Sequence, residues 1–172
     1  AFVHAETSTG VRSDAEQLCR LAKAAGMLTI VDAVTSLAGI DLQVDAWGAD
    51  VVYSGTQKCL SSLPGIAPIT VSPDAVTAIT SRTHKVQSWF LDMNLIMGYW
   101  GEGAKRAYHP TAPVNAIYAL HESLLMPEEE GLQASFARHR DNHLVLAAGL
   151  ADLGLELAVA EAWRLPQLNA VT

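Results

Sequence analysis

Two residues with complementary chemistry each follow a short apolar run. Lys58 closes the segment 54–58 (Ser-Gly-Thr-Gln-Lys), directly after residues 51–53, and Asp32 ends an earlier run. A lysine amine can form a Schiff base with an aldehyde, and a carboxylate can keep a pyridine nitrogen protonated. The pair is therefore typical of pyridoxal phosphate chemistry. Taken singly, however, a lysine usually lies on a solvated surface, and a strand-end aspartate often caps the next turn.

Apolar runs and helical patterns alternate along the chain, as in a parallel sheet covered by helices. The run 28–31 is too short for a helix and is expected to form a strand buried on both faces. Ligands bind at the carboxyl ends of such strands, where Asp32 and Lys58 are placed. Strands are predicted at residues 1–4, 28–31, 51–53 and 66–71.

Capping patterns predict where the helices begin. Ser13 followed by Glu16 has the spacing of a capping box, and Gly26 ends that helix. Ser72 and Pro73 open a short helix. Pro127, with the glutamates at 128–130, is expected to begin another helix at its positive dipole end. Further predictions are a helix at 114–125, a long helix at 132–153, a second sheet beginning at 155–159, and a long ordered loop with a short helix at 82–103.

The composition excludes several classes of protein. The chain has 172 residues, of which 50% are hydrophobic, so it can bury a core, and its net charge of −7 provides no basic stripe for nucleic acid or an anionic membrane. It has no apolar run of about 18 residues. Two cysteines without metal spacing fit a cytoplasmic protein. Because Ala1 stands where an initiator methionine would, we expect a piece of a longer protein.

Four segments, in this order, carry a resemblance to a known family. They are 4–10 (His-Ala-Glu-Thr-Ser-Thr-Gly), 31–34 (Val-Asp-Ala-Val), 54–58, and 108–114 (Tyr-His-Pro-Thr-Ala-Pro-Val). The chain resembles class V aminotransferases of pyridoxal phosphate fold type I, especially the alanine–glyoxylate and serine–glyoxylate aminotransferases. The resemblance implies an α/β fold with a mostly parallel sheet. Residues 1–130 would belong to the cofactor-binding large domain, and residues 131–172 would form a linking helix and the start of a smaller α+β domain.

The resemblance also implies a role for each matching residue. Lys58 would form the Schiff base and then carry a proton between the substrate α-carbon and the cofactor, while Asp32 would bind the pyridinium nitrogen. Val34 would pack on one face of the ring, Thr7 would contact the cofactor near the ring oxygen, and Gln57 would lie near the phosphate. Without the resemblance, Val34 is simply core, and Thr7 and Gln57 are common turn material.

Tyr108 and Thr111 resemble positions that reach the phosphate of a neighbouring subunit's cofactor. The implied protein is a homodimer with shared active sites. Alternatively, Tyr108 is an ordinary half-buried aromatic residue and Thr111 caps the helix after Pro113. Pro110 departs from the family, since close relatives often have a second histidine there.

The function implied is transamination between a small amino acid, alanine or serine, and a 2-oxo acid, glyoxylate above all. Ureidoglycine–glyoxylate aminotransferases share these motifs, and cysteine desulfurase-like lyases use the same cofactor architecture. The family's phosphate loop, its ring-stacking aromatic residue and its substrate-binding arginine have no counterpart in this sequence. A different class of hypothesis follows, in which the chain is catalytically incomplete and acts only as an assembly partner.

The remaining patterns do not predict a metal or nucleotide site. His139 and His143 lie four residues apart on a helix, but neighbouring charged residues indicate a solvated face. Gly101 and Gly103 lack the third glycine of a dinucleotide fingerprint. Cys59 is interpreted as a packing residue. No metal site is expected.

Overall fold

The computed structural model describes residues 1–101 and 107–172. In these ranges the chain forms six strands and six α-helices. The strands are β1 (Phe2–Val3), β2 (Ala5–Glu6), β3 (Val11–Arg12), β4 (Ile30–Asp32), β5 (Val51–Tyr53) and β6 (Ile69–Val71). The helices are α1 (Ala15–Ala24), α2 (Val44–Trp47), α3 (Pro73–Thr80), α4 (Met93–Trp100), α5 (Val114–Glu130) and α6 (Leu132–Asp152), followed by a short 3₁₀ helix (Glu161–Trp163).

The main sheet has the order β1-β4-β5-β6, and its first three strands are parallel. Strand β6 returns antiparallel to β5, and β2 pairs with β3 as a separate hairpin. Since β4 and β5 are parallel neighbours, the residues that follow them lie at one edge of the sheet. The predicted α/β class is confirmed. The proposed division at residue 130 stays a prediction.

The core lies between the sheet and the first two helices. Cys19 of α1 packs with Val31, Ala33, Ala49 and Val52, all of them buried. Strand β4 begins later than predicted. The prediction that it is buried on both faces is wrong for part of the strand. Ile30 is 45% exposed, so only the central Val31 is enclosed.

Helix α1 ends as predicted, with Gly26 at a positive φ of 70°, but its cap is shifted by one residue. The N-cap is Asp14, whose Oδ1 accepts a hydrogen bond from Gln17 N at 3.0 Å. The Ser13 and Glu16 capping box is therefore wrong, because Asp14 is the N-cap and its carboxylate accepts the amide at the third helical position. For α3 the prediction is confirmed, since the Ser72 hydroxyl accepts from Ala75 N.

Helix α5 continues through Pro127, so the prediction that Pro127 begins a new helix is wrong. The three glutamates at 128–130 end α5. The break comes at Gly131, whose φ of 85° favours glycine. Because proline has no N–H, α5 passes Pro127 with one helical hydrogen bond fewer. Across the break, Arg138 of α6 donates two hydrogen bonds to Glu130, at 2.6 and 2.8 Å, and fixes the junction.

The ordered loop with a short helix that was predicted at 82–103 is confirmed in its described part, where α4 is the helix. Glu102 and Gly103 lie outside the described residues. Toward the C-terminus, Ala158 N donates to Ala170 O at 2.9 Å, and Leu157 bridges Val171 in an antiparallel sense. The run at 155–159 therefore makes isolated bridges instead of the expected sheet strand. No helix in the described parts of the chain is both long and apolar enough to cross a membrane.

Asp50 connects the amino ends of β4 and β5 through hydrogen bonds. Its buried carboxylate accepts from Thr29 N at 2.8 Å, from the Thr29 hydroxyl at 3.2 Å and from the Ser72 hydroxyl at 3.0 Å. The Asp50 amide in turn donates to the Thr29 hydroxyl. This network joins three strands at the edge opposite Asp32.

Replacing Asp50 by alanine should lower the free energy of unfolding by about 3 kcal/mol, because buried donors on Thr29 and Ser72 lose their charged acceptor. Urea unfolding measures the change. The exposed carboxylate of Asp152 at the end of α6 provides the matched control, Asp152→Ala, which should change stability by less than about 0.5 kcal/mol. Equal effects of the two substitutions would contradict a structural role for the Asp50 network.

Candidate active site

The Asp32 carboxylate is oriented by two donors. Oδ1 accepts from Val34 N at 2.9 Å, and Oδ2 accepts from the Tyr53 hydroxyl at 2.7 Å. Asp32 and Tyr53 are register partners at the ends of the parallel strands β4 and β5, which places both side chains at one edge. The hydrogen bond to Asp32, aided by partial burial, raises the pKa of Tyr53 and keeps its hydroxyl protonated. A carboxylate held in this way is a fixed acceptor at the strand ends.

Lys58 is exposed on a tightly closed loop after β5. The buried Thr56 hydroxyl donates to the carbonyl of Leu63, and Ser62 N donates back to Thr56 O at 2.9 Å. Ser61 N donates to Lys58 O at 2.9 Å. These bonds fix the backbone of the loop and leave the Lys58 amine outside any ion pair within the described ranges.

Gln57 lies beside Lys58 and folds back over Gly55. A Cβ at Gly55 would lie 2.7 Å from the Gln57 side-chain oxygen, so the side chain occupies the space that glycine leaves open. Gln57 is otherwise exposed. The predicted contact of Gln57 with a phosphate stays a prediction.

Thr7 lies in the turn of the β2–β3 hairpin and is exposed. The strand before that turn is anchored by His4, which is buried and meets Trp47 edge to face with ring centroids 5.2 Å apart. Burial, with a smaller contribution from the charge of Arg12, lowers the pKa of His4 to about 4. The imidazole is therefore neutral at physiological pH.

Thr35 connects the segments that hold the candidate residues. Its hydroxyl donates to Ala5 O at 2.8 Å, and its carbonyl lies 3.7 Å from the Cys59 sulfur and accepts from Gln167 Nε2 at 2.9 Å. Burial raises the pKa of the Cys59 thiol, which keeps it a donor. Thr35 thus links the hairpin of Thr7, the strand end of Asp32 and the loop of Lys58.

A cavity of about 390 Å³ opens beside Lys58. The sequence did not identify several of its lining residues as part of the site. Polar side chains from the long helix and from the C-terminal segment face it, among them Arg138, His139 and Gln167. Only contacts far apart in sequence bring them together, so no local pattern could have found them. Tyr53 was also missed, although its register opposite Asp32 was a usable signal.

Tyr108 and Thr111 meet each other away from the lysine loop. The Tyr108 hydroxyl and Thr111 Oγ1 are 2.6 Å apart, and Tyr108 is 75% exposed. The alternatives from sequence are wrong for both residues, because Tyr108 is not half-buried and α5 begins after Pro113 without a side-chain cap. Within the described residues, no hydrogen bond joins either side chain to Asp32 or Lys58.

The predicted solvated face around the two histidines of α6 is wrong for His143. His143 is 8% exposed, whereas His139 is partly buried and hydrogen bonds through Nδ1 to Ser135 O at 2.8 Å. The neighbouring Arg138, Arg140 and Asp141 are exposed. Among residues 1–101 and 107–172, no three His, Cys, Asp or Glu side chains cluster in a way that could hold a metal.

Comparison with known proteins agrees with this geometry. The model of the family "Aminotransferase class-V" matches residues 1–170. The chain belongs to the class V aminotransferase family. Over 172 residues it is 41% identical to alanine–glyoxylate aminotransferase of Oryctolagus cuniculus, covering 99% of this chain and 44% of that protein. The chain therefore spans less than half the length of this relative.

Solved structures of class V aminotransferases superimpose closely on this chain. The alanine–glyoxylate aminotransferase of Nostoc sp. has a TM-score of 0.94 at 46% identity, over 98% of this chain and 44% of that one. The ureidoglycine–glyoxylate aminotransferase of Bacillus subtilis has a TM-score of 0.93 at 36% identity, over 98% and 43%. The family and the fold type predicted from the four segments are confirmed.

The neutral, buried His4 gives this class V aminotransferase chain a predictable acid sensitivity. Its folded pKa of about 4 lies below the usual 6.5, so the unfolded state binds the proton first as pH falls. Stability should decrease between pH 6.5 and 4 by up to about 1.4 kcal/mol per pH unit from this group. Urea unfolding of wild type and His4→Gln across that range measures it.

The variant should show a shallower loss of stability than wild type over the same pH interval. His121→Gln is the control for the substitution itself, because His121 is exposed on α5 and its replacement removes no buried contact. Identical profiles for wild type and His4→Gln would show that His4 does not titrate as a buried group.

Proposed function

We propose that the protein carrying this chain is a pyridoxal phosphate-dependent transaminase that uses Lys58 and Asp32. The observation that supports the proposal is the arrangement at the ends of β4 and β5. There an Asp32 carboxylate fixed by Tyr53 and Val34 is joined through Thr35 to the loop that presents an exposed lysine amine.

The residues fit the proposed cofactor by the chemistry of their side chains. Asp32 provides a fixed anionic acceptor for a protonated ring nitrogen, and Lys58 provides a primary amine for the aldehyde. Val34 is half-buried two residues after that carboxylate and offers an apolar surface for one ring face. Thr7 and Gln57 are exposed hydrogen-bonding side chains on the connected segments. Their assignments to ring oxygen and phosphate are part of the proposal.

When bound, pyridoxal phosphate supplies an aldehyde that condenses with amines and a ring that withdraws electrons from the substrate α-carbon. Asp32 holds the proton on the ring nitrogen, and this makes the ring a better acceptor of electrons. The Tyr53 hydroxyl and the Val34 amide keep the carboxylate in place. The Lys58 amine would hold the cofactor through its aldehyde and, as a free amine, would carry a proton between the substrate α-carbon and the cofactor.

For the substrates we propose a small amino acid, alanine or serine, and glyoxylate as the 2-oxo acid. Relatives that bear the name alanine–glyoxylate aminotransferase support this choice. A second candidate is ureidoglycine as donor, because a Bacillus subtilis (S)-ureidoglycine–glyoxylate transaminase is 33% identical over 99% of this chain and 45% of its own length. Both candidates share glyoxylate.

Assembly and location are further parts of the proposal. The exposed pair Tyr108 and Thr111 is available to a second subunit, as a homodimer with shared active sites would require. Cys19 and Cys59 form no disulfide, which supports a cytoplasmic location.

The first test replaces Lys58 by alanine in the whole protein that carries this sequence. Wild type mixed with pyridoxal phosphate should gain a visible absorption band. Borohydride reduction should remove the band and leave the cofactor covalently attached to the protein. Lys58→Ala should show neither the band nor the covalent label, because Lys58 is the lysine that lines this cavity among the described residues. Absorbance and mass spectrometry measure the two effects.

Lys85→Ala is the matched control, since Lys85 is an exposed lysine outside the site. It should retain both the band and the label. A wild-type protein that stays colourless with excess cofactor would instead support the hypothesis of a catalytically incomplete assembly partner.

The amino donor is tested by offering alanine, serine and ureidoglycine in turn to the cofactor-loaded protein. The true donor should convert the visible band to the spectrum of the aminated cofactor, and glyoxylate should then restore it. Stopped-flow absorbance gives the rate for each donor. Release of sulfur or another side-chain fragment without restoration by glyoxylate would favour a lyase over a transaminase.

A further inference from the structure

Gln167 is the one side chain of the C-terminal segment 164–168 that hydrogen bonds to a backbone segment of the candidate active site, as far as the described residues go. Its Nε2 donates to Thr35 O at 2.9 Å, across 132 positions of sequence. A carbonyl accepts only from the amide nitrogen, so this contact fixes which end of the Gln167 amide faces Thr35. The bond therefore ties the C-terminal segment to the residue that joins the hairpin, the Asp32 strand end and the lysine loop.

Packing around Gly39 holds Gln167 close to the Lys58 loop. A Cβ placed on Gly39 would lie 2.7 Å from the Cys59 sulfur and 3.1 Å from Gln167 Cδ, so both side chains fill the space over this glycine. Cys59 is the residue after Lys58, and its thiol shares the Thr35 carbonyl with Gln167. The Gln167 and Cys59 side chains therefore lie around the same glycine and approach the same carbonyl.

The other end of the Gln167 amide is unsatisfied. Its Oε1 is buried and has no hydrogen-bond partner among the described residues. Gln167 lines the same cavity as Lys58, Arg138 and His139, all of which can donate hydrogen bonds. A buried acceptor without a donor is costly, and such a group next to a functional amine calls for a role.

We propose that Gln167 is a positioning residue of the active site. It holds the Thr35 carbonyl and the Cys59 side chain, and through them it sets the relative placement of Asp32 and Lys58. This inference rests on the proposed function, because the geometry that Gln167 sets matters only if Lys58 and Asp32 act on one cofactor.

The test compares Gln167→Met with wild type in the whole, cofactor-loaded protein. Methionine keeps the length that packs against Gly39 and Cys59 but removes the amide donor and acceptor. We expect kcat to fall by roughly three- to tenfold, as the loss of one hydrogen bond allows. We also expect the visible band and its pH dependence to shift, with the melting temperature nearly unchanged.

A readout without cofactor comes from Cys59. Truncation in Gln167→Ala removes the group that covers the thiol, so the apoprotein should react with a thiol reagent several-fold faster than wild type. The part of the thiol reaction that is lost in Cys59→Ser is assigned to Cys59. Gln133→Met, the same substitution at an exposed position of α6, is the control and should change none of these quantities.

The possible outcomes separate the two proposals. A wild-type protein that forms no visible band overturns the proposed function and this inference with it. A normal wild-type band together with a Gln167→Met variant of unchanged spectrum, pH dependence and kcat overturns the inference alone. A lower melting temperature with an unchanged spectrum and kcat also overturns it, since Gln167 would then be only structural.

Discussion

The arrangement of the candidate site depends on the hydrogen bonds of Thr35. This buried residue is both donor and acceptor. Its hydroxyl contacts the backbone of Ala5, and its carbonyl receives Gln167 and faces the thiol of Cys59. Each bond alone contributes only about 1 kcal/mol. Because together they join segments far apart in sequence, they determine whether the groups that bear the chemistry stand at the same edge of the sheet.

The parallel pairing of β4 and β5 provides the second constraint. It places the carboxylate of Asp32 opposite the phenol of Tyr53 and sends the following loops to the same edge. The sheet sets the direction and the spacing of the two strand ends, and the Thr35 contacts hold the loops that follow them. Because hydrogen bonds fix the backbone of the lysine loop, the lysine side chain is exposed to a ligand while the backbone that carries it stays in place.

The two proposed reactive residues could be predicted from the sequence, whereas the residues that hold their segments could not. Lys58 and Asp32 follow apolar runs, and strand ends of a parallel sheet are recognisable by that pattern. Gln167 reaches Thr35 from the other end of the chain, and no local spacing encodes such a contact. Pro127 was misplaced for a related reason. Proline and acidic residues favour a helix start, but the positive φ of Gly131 and the pairing of Glu130 with Arg138 set the actual boundary.

The Asp50 network lies at the amino ends of the strands, and the candidate site lies at their carboxyl ends. The buried carboxylate that binds Thr29 and Ser72 secures the sheet without help from any group near Lys58. Substitutions around Lys58 can therefore leave the anchorage of the sheet by Asp50 intact.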